Sequence, residues 1–240
     1  MGCVRDGRGG WASAVLIEGL RRPKVSRAYG KTAHWAQEFR TVGTTPKVPR
    51  TGHPDGRNGS GSRTVRGMDA DIERGALEAA LAGRGDYELF ACDPALADTA
   101  AFCAAYGFAL EDSANTIVVI GKSNPPVFAA CVVLATHRLE VNRAVREQLG
   151  TRKASFAPPE ATRAITGHEI GGVTVFGLPA DLRILVDAAV MERPRIVLGG
   201  GSRSWKVIAA PSILVSLPNV AVVDGLANLA PPRELVSDSA

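Results

Sequence analysis

The most regular apolar pattern in the chain lies in residues 113–135, whose sequence is SANTIVVIGKSNPPVFAACVVLA. Residues 117–120 form a continuous β-branched run, which is typical of a buried strand. The turn Asn124-Pro125-Pro126 follows, and the apolar run of residues 128–135 predicts a second strand that returns beside the first. The stretch therefore predicts a β-hairpin inside a sheet.

Shorter elements are predicted on both sides of this hairpin. Before it, Ile72, Leu77, Ala80 and Leu81 recur at helical spacing from about Asp69. The other predicted helices cover residues 100–106, 142–149, 159–166 and a last one from about residue 212, and the other strands cover residues 87–91, 154–156, 173–176, 185–186, 196–198 and 207–208. This irregular alternation predicts an α/β fold of the α+β type, with a mixed, curled β-sheet and surrounding helices.

Charge divides the chain near residue 67. Residues 1–67 hold 13 Lys and Arg against 4 Asp and Glu, a balance of +9, and the remaining residues hold 15 against 20, a balance of −5. Residues 40–67 contain few large apolar side chains, which predicts a basic, disordered leader. The alternative is that Met68 is the true start. We expect one folded domain over residues 68–228 and a frayed tail over residues 229–240.

Apolar runs and cysteines indicate the compartment. No run approaches the roughly 20 apolar residues that a membrane-spanning helix needs, and the first residues do not resemble a secretory signal. The four cysteines have no close spacing, so neither a CxxC metal pair nor a disulfide framework is predicted. We therefore expect reduced thiols, a cytoplasmic protein and no membrane partner.

Two glycine-bearing stretches are candidate sites, because paired glycines let backbone N–H groups approach a ligand closely. In Thr166-Gly167-His168-Glu169-Ile170-Gly171-Gly172-Val173-Thr174, bare N–H groups would suit a carbonyl or an oxyanion. A tight turn with positive φ is the alternative explanation. The second stretch, Gly199-Gly200-Gly201-Ser202, lacks the Gly-Lys-Ser/Thr ending of a P-loop, so nucleotide hydrolysis is not predicted.

Two side chains near these stretches leave their roles open. His168 has no second His or Cys nearby at ligand spacing, so a loop histidine is expected rather than a metal ligand. Asp187 directly follows a predicted strand. A carboxylate at that place either caps the next element or orients a ligand.

A series of short motifs runs through the chain in a specific order and spacing. They are Ser113-Ala114-Asn115-Thr116-Ile117-Val118-Val119, Leu149-Gly150-Thr151-Arg152-Lys153-Ala154-Ser155-Phe156-Ala157, Thr166-Gly167, Gly171-Gly172-Val173-Thr174, Leu178-Pro179, Val186-Asp187 and Leu198-Gly199-Gly200-Gly201-Ser202-Arg203. Together they resemble the YbaK/ProX-type aminoacyl-tRNA editing domains, which are related to the editing domains associated with prolyl-tRNA synthetases. The resemblance covers about two-thirds of the chain.

The resemblance implies an aminoacyl-tRNA deacylase, a carboxylic ester hydrolase that removes a mischarged amino acid of the Cys or Ala class from tRNA in trans. The implied partners are the 3′ end of an aminoacyl-tRNA and, optionally, a synthetase; no cofactor and no metal are expected. A catalytically weak relative that binds an aminoacyl group, a nucleotide or a synthetase is the alternative. The implied catalytic residues are Asn115, Gly167, Gly171 and Gly172, and the implied substrate-binding residues are Thr166, Thr174, Asp187, Gly200, Gly201 and Ser202.

Two positions depart from the family pattern. The lysine that is typical of the family's pocket aligns with Asn115, which donates a hydrogen bond without a charge. Since charged hydrogen bonds are stronger than neutral ones by roughly 1–2 kcal/mol, the exchange would slow the chemistry about ten- to thirtyfold unless another group compensates. Val175 stands where the family commonly has Pro, so the rim of the pocket is expected to differ.

Overall fold

The computed structural model describes residues 60–231, with side chains from Asp69 onwards. The α-helices are α1 (Ser60–Leu81), α2 (Thr99–Tyr106), α3 (Arg146–Leu149), α4 (Pro159–Thr166) and α5 (Ala188–Met191). The strands are β1 (Tyr87–Ala91), β2 (Ala114–Gly121), β3 (Val127–Leu134), β4 (His137–Leu139), β5 (Ala154–Phe156), β6 (Arg183–Asp187), β7 (Ile196–Gly199), β8 (Trp205–Ala209), β9 (Val220–Val223) and β10 (Ala227–Leu229). Short 3-10 segments cover Pro94–Leu96, Leu110–Asp112 and Pro211–Ser216.

A five-stranded mixed sheet forms the centre of the domain, with the strand order β5-β2-β3-β6-β9. The predicted hairpin is confirmed, since β2 and β3 pair antiparallel from Ala114 opposite Leu134 to Gly121 opposite Val127. The strands β3, β6 and β9 are parallel to one another. Apolar clusters cover both faces of β3, which explains its continuous apolar sequence.

A second sheet of three antiparallel strands, in the order β1-β8-β7, lies beside the first. A single parallel bridge between Ser113 and Val197 joins the start of β2 to β7. The short strands β4 and β10 form a separate pair. The mixed sheet and its helices confirm the predicted fold class.

Glycines end several helices. Gly107, Gly150 and Gly167 all adopt the left-handed conformation directly after α2, α3 and α4, and each donates its N–H to a carbonyl of the last turn. A residue without a Cβ adopts this conformation at little cost. The boundary at Gly167 matters most here, because it places the following loop next to the central sheet.

Three sequence predictions need correction. Residues 173–176 form no strand, although Val175 and Phe176 are each only 1% exposed, because this segment fills the core as an irregular loop. The predicted last helix is the 3-10 segment Pro211–Ser216. Ile72 is 68% exposed, so it does not belong to the apolar face of α1 that buries Leu77 and Leu81.

The predicted boundaries fall partly outside the described residues. The predicted domain start at residue 68 lies inside α1, which begins at Ser60. The predictions for residues 1–59 and 232–240 lie outside the part of the chain that the structure describes. Within residues 60–231, no helix combines the length and the apolar character that crossing a membrane requires. The three described cysteines, Cys92, Cys103 and Cys131, are free thiols.

Candidate functional site

The Asn115 cavity is an open pocket of about 520 Å³ between the N-terminal end of α2, the strands β2, β7 and β8, the end of β5 and the loop over residues 170–173. Its volume lies within the range that small-molecule sites occupy. Apolar side chains such as Phe102 and Ile117 line it together with a small number of polar groups. This combination is typical of a ligand site.

Asn115 and Thr99 form the first polar pair of the cavity. Thr99 Oγ1 donates a hydrogen bond of 2.8 Å to Asn115 Oδ1. Because the amide oxygen accepts this bond, the Nδ2 group of Asn115 remains as a two-proton donor. The N-terminal end of α2 therefore orients the amide at residue 115.

Two further polar groups of the cavity have no protein partner. Thr116 Oγ1 is buried and has no hydrogen-bond partner among the described residues. Gly171 is exposed at the cavity, with a φ of +91°, and its N–H finds no acceptor in the described part of the chain. The unpaired, buried hydroxyl of Thr116 costs about 1–3 kcal/mol, whereas the exposed Gly171 can be reached from the cavity.

Lys206, on β8, also lines the cavity although it is only 5% exposed. Its Nζ donates a hydrogen bond of 2.6 Å to Ala97 O and lies 5.3 Å from the centre of the Phe102 ring. Burial lowers the pKa of Lys206, because water no longer solvates its charged form. Lysine side chains are rarely buried to this extent unless they are paired.

The rim of the Asn115 cavity carries an aromatic ring and an ion pair. Phe156, at the end of β5, is 56% exposed. Arg203 donates from Nη1 to Asp98 Oδ1 at 3.1 Å, and this guanidinium lowers the pKa of Asp98. An exposed ring beside a cavity provides a surface on which a flat ligand group can stack.

A second pocket of about 480 Å³, the His168 cavity, lies between α1 and the two glycine-bearing loops, lined among others by Glu73, Thr166, His168, Thr174 and Ser202. Ser202 Oγ donates to Glu73 Oε2 at 2.6 Å. Thr174 Oγ1 and His168 Nδ1 are buried and have no partner among the described residues. Burial lowers the pKa of His168.

Glycines allow the two loops between the cavities to touch. A Cβ on Gly172 would overlap Ser202 O, and a Cβ on Gly199 would lie 2.5 Å from Val173 O. Neither glycine has a positive φ, so close approach alone excludes a side chain there. This glycine junction, formed by Gly172 and Gly199, is the wall between the Asn115 cavity and the His168 cavity.

The backbone donors expected from the sequence are mostly in use. The N–H of Gly167 donates to Arg163 O at 2.8 Å, that of Gly172 to Glu169 O at 2.9 Å and that of Gly201 to Gly172 O at 2.7 Å. These three amides therefore hold turns, which was the alternative explanation, and are not free to bind an oxyanion. Of the predicted catalytic glycines, Gly171 alone has an N–H that finds no acceptor among the described residues.

The predicted site residues divide between the two cavities. Asn115 and Gly171 line the Asn115 cavity. Thr166, Gly167, Thr174, Gly200, Gly201 and Ser202 line the His168 cavity, so they lie in a different pocket from Asn115, and Gly172 lines neither cavity.

Asp187 lines neither cavity. It is 2% exposed, and its carboxylate accepts hydrogen bonds from Ala189 N at 3.0 Å and Ala227 N at 2.8 Å. It therefore caps α5 and ties β10 to β6. Among the described residues, no group of three His, Cys, Asp or Glu side chains could hold a metal ion.

Thr99, Phe102, Thr116 and Lys206 are cavity residues that sequence reasoning did not single out. A signal existed for Lys206, since a charge stands directly before the apolar run Val207-Ile208-Ala209 of a strand. The Thr99–Asn115 hydrogen bond joins residues 16 positions apart, and no local sequence pattern predicts it.

Comparison with known proteins adds independent findings. The sequence model of the family described as "Aminoacyl-tRNA editing domain" matches residues 93–215, just over half of the chain. A structure described as a "putative trans-editing enzyme for prolyl tRNA synthetase" is similar with a TM-score of 0.56 and 23% identity, over 63% of this chain and 95% of that chain. A hypothetical protein gives a TM-score of 0.57 and 24% identity, over 64% of this chain and 99% of that chain.

The two structural similarities support the fold at these low identities, and the family match supports the resemblance seen in the sequence. The matched segment begins at Asp93 and ends at Val215, so it contains both cavities' loops and every described residue that lines the Asn115 cavity. The chain belongs to the aminoacyl-tRNA editing domain family.

Proposed function

We propose that this protein hydrolyses the ester that joins a mischarged small amino acid, of the Cys or Ala class, to a tRNA, and that it acts in trans. The observation that carries the proposal is the Asn115 cavity, in which Asn115 Nδ2 and the N–H of Gly171 have no protein acceptor among the described residues and are available to a ligand. Family membership supports an aminoacyl-tRNA as the substrate.

The reaction needs few protein groups, because an aminoacyl ester is already reactive. A water molecule, placed by the protein or by a ribose hydroxyl of the substrate, adds to the ester carbonyl, gives up a proton and forms a tetrahedral intermediate with a negatively charged oxygen. The bond from the carbonyl carbon to the ribose oxygen then breaks, and that oxygen takes a proton. The protein's part is to hold the ester and to place donors at the developing charge.

Two donors fit this task in the proposed site. Asn115 Nδ2 is oriented by the hydrogen bond from Thr99, and Gly171 has an N–H without a protein acceptor. Donors held in place before the reaction stabilise the oxyanion without reorganisation.

The rim suits the terminal nucleoside of the substrate. The exposed ring of Phe156 offers a stacking surface for an adenine base, and such stacking contributes roughly 1–3 kcal/mol per base. The apolar lining from Phe102, Ile117 and Val197 suits a short side chain without charge. These features favour a small amino acid on a 3′-terminal adenosine.

Deacylation of mischarged tRNA tests this proposal. Purified protein is incubated with Cys-tRNA and Ala-tRNA of the proline isoacceptor, and the remaining ester is followed over time. We expect hydrolysis by the wild type, and a rate about tenfold lower for Asn115→Ala, because one donor to the oxyanion is lost.

Asn228→Ala is the matched control, because Asn228 is an exposed amide on β10 outside both cavities. It should hydrolyse the ester at the wild-type rate. If wild type and Asn115→Ala leave both esters equally intact, the protein is a binding relative and the deacylase proposal is wrong. Tight binding of the uncleaved aminoacyl-tRNA in that case would identify the alternative function.

A further inference from the structure

Lys206 combines burial, a charge and a place in the Asn115 cavity. Its side chain packs among the apolar cluster that contains Phe102 and Ile208. In the described part of the chain, its ammonium forms no ion pair with a carboxylate. An apolar residue of similar length would fill this space without the cost of removing a charge from water.

The contacts of the ammonium link it to the polar pair of the cavity through the start of α2. Nζ donates to Ala97 O at 2.6 Å, and the next two residues along the chain, Asp98 and Thr99, both line the cavity. Thr99 in turn donates to Asn115. Only one of the three ammonium protons is needed for Ala97, so two remain for other acceptors.

We propose that the Lys206 ammonium supplies the positive charge of the Asn115 cavity, as a donor to the carbonyl oxygen of the bound ester. This inference rests on the proposed deacylase function and names a further catalytic residue for it. The charge that the family resemblance assigns to residue 115 on β2 is thus provided from β8. Asn115 then serves as a neutral donor beside it.

The surroundings of the ammonium give a second readout. The titratable and charged groups that face it are Cys92, Asp98, Cys103 and Arg203, and burial outweighs them in lowering the pKa of Lys206. As pH rises through this lowered pKa, the ammonium loses its proton and the enzyme-dependent rate falls. This loss should begin at a lower pH than for an exposed lysine, after correction for uncatalysed ester hydrolysis.

A charge-relocation experiment tests the proposal. Lys206→Met keeps length and apolar character but removes the charge, and we expect kcat to fall roughly 10- to 100-fold with KM changed less than about threefold. The double variant Asn115→Lys/Lys206→Met restores a charge to the same cavity from β2 and should recover most of the lost rate. Asn115→Lys alone should be slower than the wild type, because two ammonium groups in one cavity repel each other.

Each outcome of these experiments supports or overturns the role of Lys206. Full activity in Lys206→Met, with the wild type active, overturns the role of Lys206 and leaves the deacylase function standing. Loss in Lys206→Met without recovery in the double variant, while circular dichroism shows both folded, also overturns it. If Lys206→Met does not fold, the alkaline loss of rate in the wild type decides, and its absence contradicts the proposal. A wild type inactive on every ester overturns both proposals.

Discussion

The Asn115 cavity and the His168 cavity have similar volumes, about 520 and 480 Å³, and lie on opposite sides of the glycine junction. The Asn115 cavity holds the Lys206 cation, the amide of Asn115 and the N–H of Gly171, and its Asp98 carboxylate is paired with Arg203; the His168 cavity holds the carboxylate of Glu73, and the N–H groups of Gly167 and Gly201 beside it are already bonded. An ester that develops negative charge is stabilised by the first environment and not by the second. The two cavities therefore differ in their charges and donors and not in their volumes.

A substitution in the glycine junction should have the largest effect, because both cavities depend on the close contact between the two loops. Gly172→Ala would drive a Cβ into Ser202 O, so the loops must separate, and we expect the free energy of unfolding to fall by about 3 kcal/mol. Both cavities would change together. Chemical denaturation measures the effect.

Gly75→Ala is the control for this substitution. Gly75 lies on α1 with no atom near its missing Cβ, so alanine should stabilise the protein by about 0.5–1 kcal/mol. Equal stability of Gly172→Ala and the wild type would show that the two loops separate without cost, and that the wall is not fixed by glycine.

Stacking on Phe156 should strengthen the binding of substrate to the Asn115 cavity and not to the His168 cavity. Phe156→Ala removes the exposed ring of the Asn115 cavity, and we expect KM for mischarged tRNA to rise roughly 10- to 100-fold with little change in kcat. Steady-state deacylation kinetics check this. Leu229→Ala removes another exposed apolar side chain, 73% exposed on β10, and should leave KM unchanged. An equal rise of KM in both variants would remove the argument for stacking.

The Thr99 hydroxyl should have a smaller effect on the rate. Thr99→Val keeps the shape of the side chain but deletes the donor to Asn115 Oδ1, so the amide is no longer oriented. A neutral hydrogen bond contributes about 1 kcal/mol, which predicts a fall of kcat/KM by about fivefold. Thr151→Val deletes a hydroxyl that donates to Lys153 O outside the cavity and should retain the wild-type value. A Thr99→Val variant as fast as this control would contradict the role of α2.

His168 should affect stability and not the chemistry, which is the smallest effect expected. Burial lowers the pKa of His168, so the folded protein binds this proton less readily than the unfolded chain. The free energy of unfolding should therefore decrease as pH falls below about 6.5, the ordinary value of an exposed histidine.

His168→Gln should lose less stability than the wild type between pH 7.5 and 5.5, as measured by denaturation at each pH. Deacylation at pH 7.5 should remain within about twofold of the wild type. A strong loss of deacylation in this variant would indicate that the ester binds in the His168 cavity.

The sequence predicted the parts of this fold that local patterns control. The hairpin of β2 and β3, the helix α4 at Pro159–Thr166 and its end at Gly167 follow from apolar periodicity and glycine chemistry. The supposed strand at residues 173–176 is wrong, because an apolar run does not distinguish a strand from a buried loop.

The candidate site was less accessible from the sequence. Asn115 and Gly171 were predicted and lie in one cavity, but Lys206 reaches that cavity from a strand of the other sheet. The bonds that occupy the N–H groups of Gly172 and Gly201 depend on the contact between two distant loops. Such pairings depend on tertiary packing, which no local pattern encodes.

The central claim is that the ester binds in the Asn115 cavity. A crystal structure of the protein with a non-hydrolysable analogue, an adenosine that carries alanine through a 3′-amide, tests it most directly. The account predicts the analogue's carbonyl oxygen within hydrogen-bond distance of Asn115 Nδ2 and its base against Phe156. An analogue bound in the His168 cavity, between Glu73 and Thr174, would contradict the account.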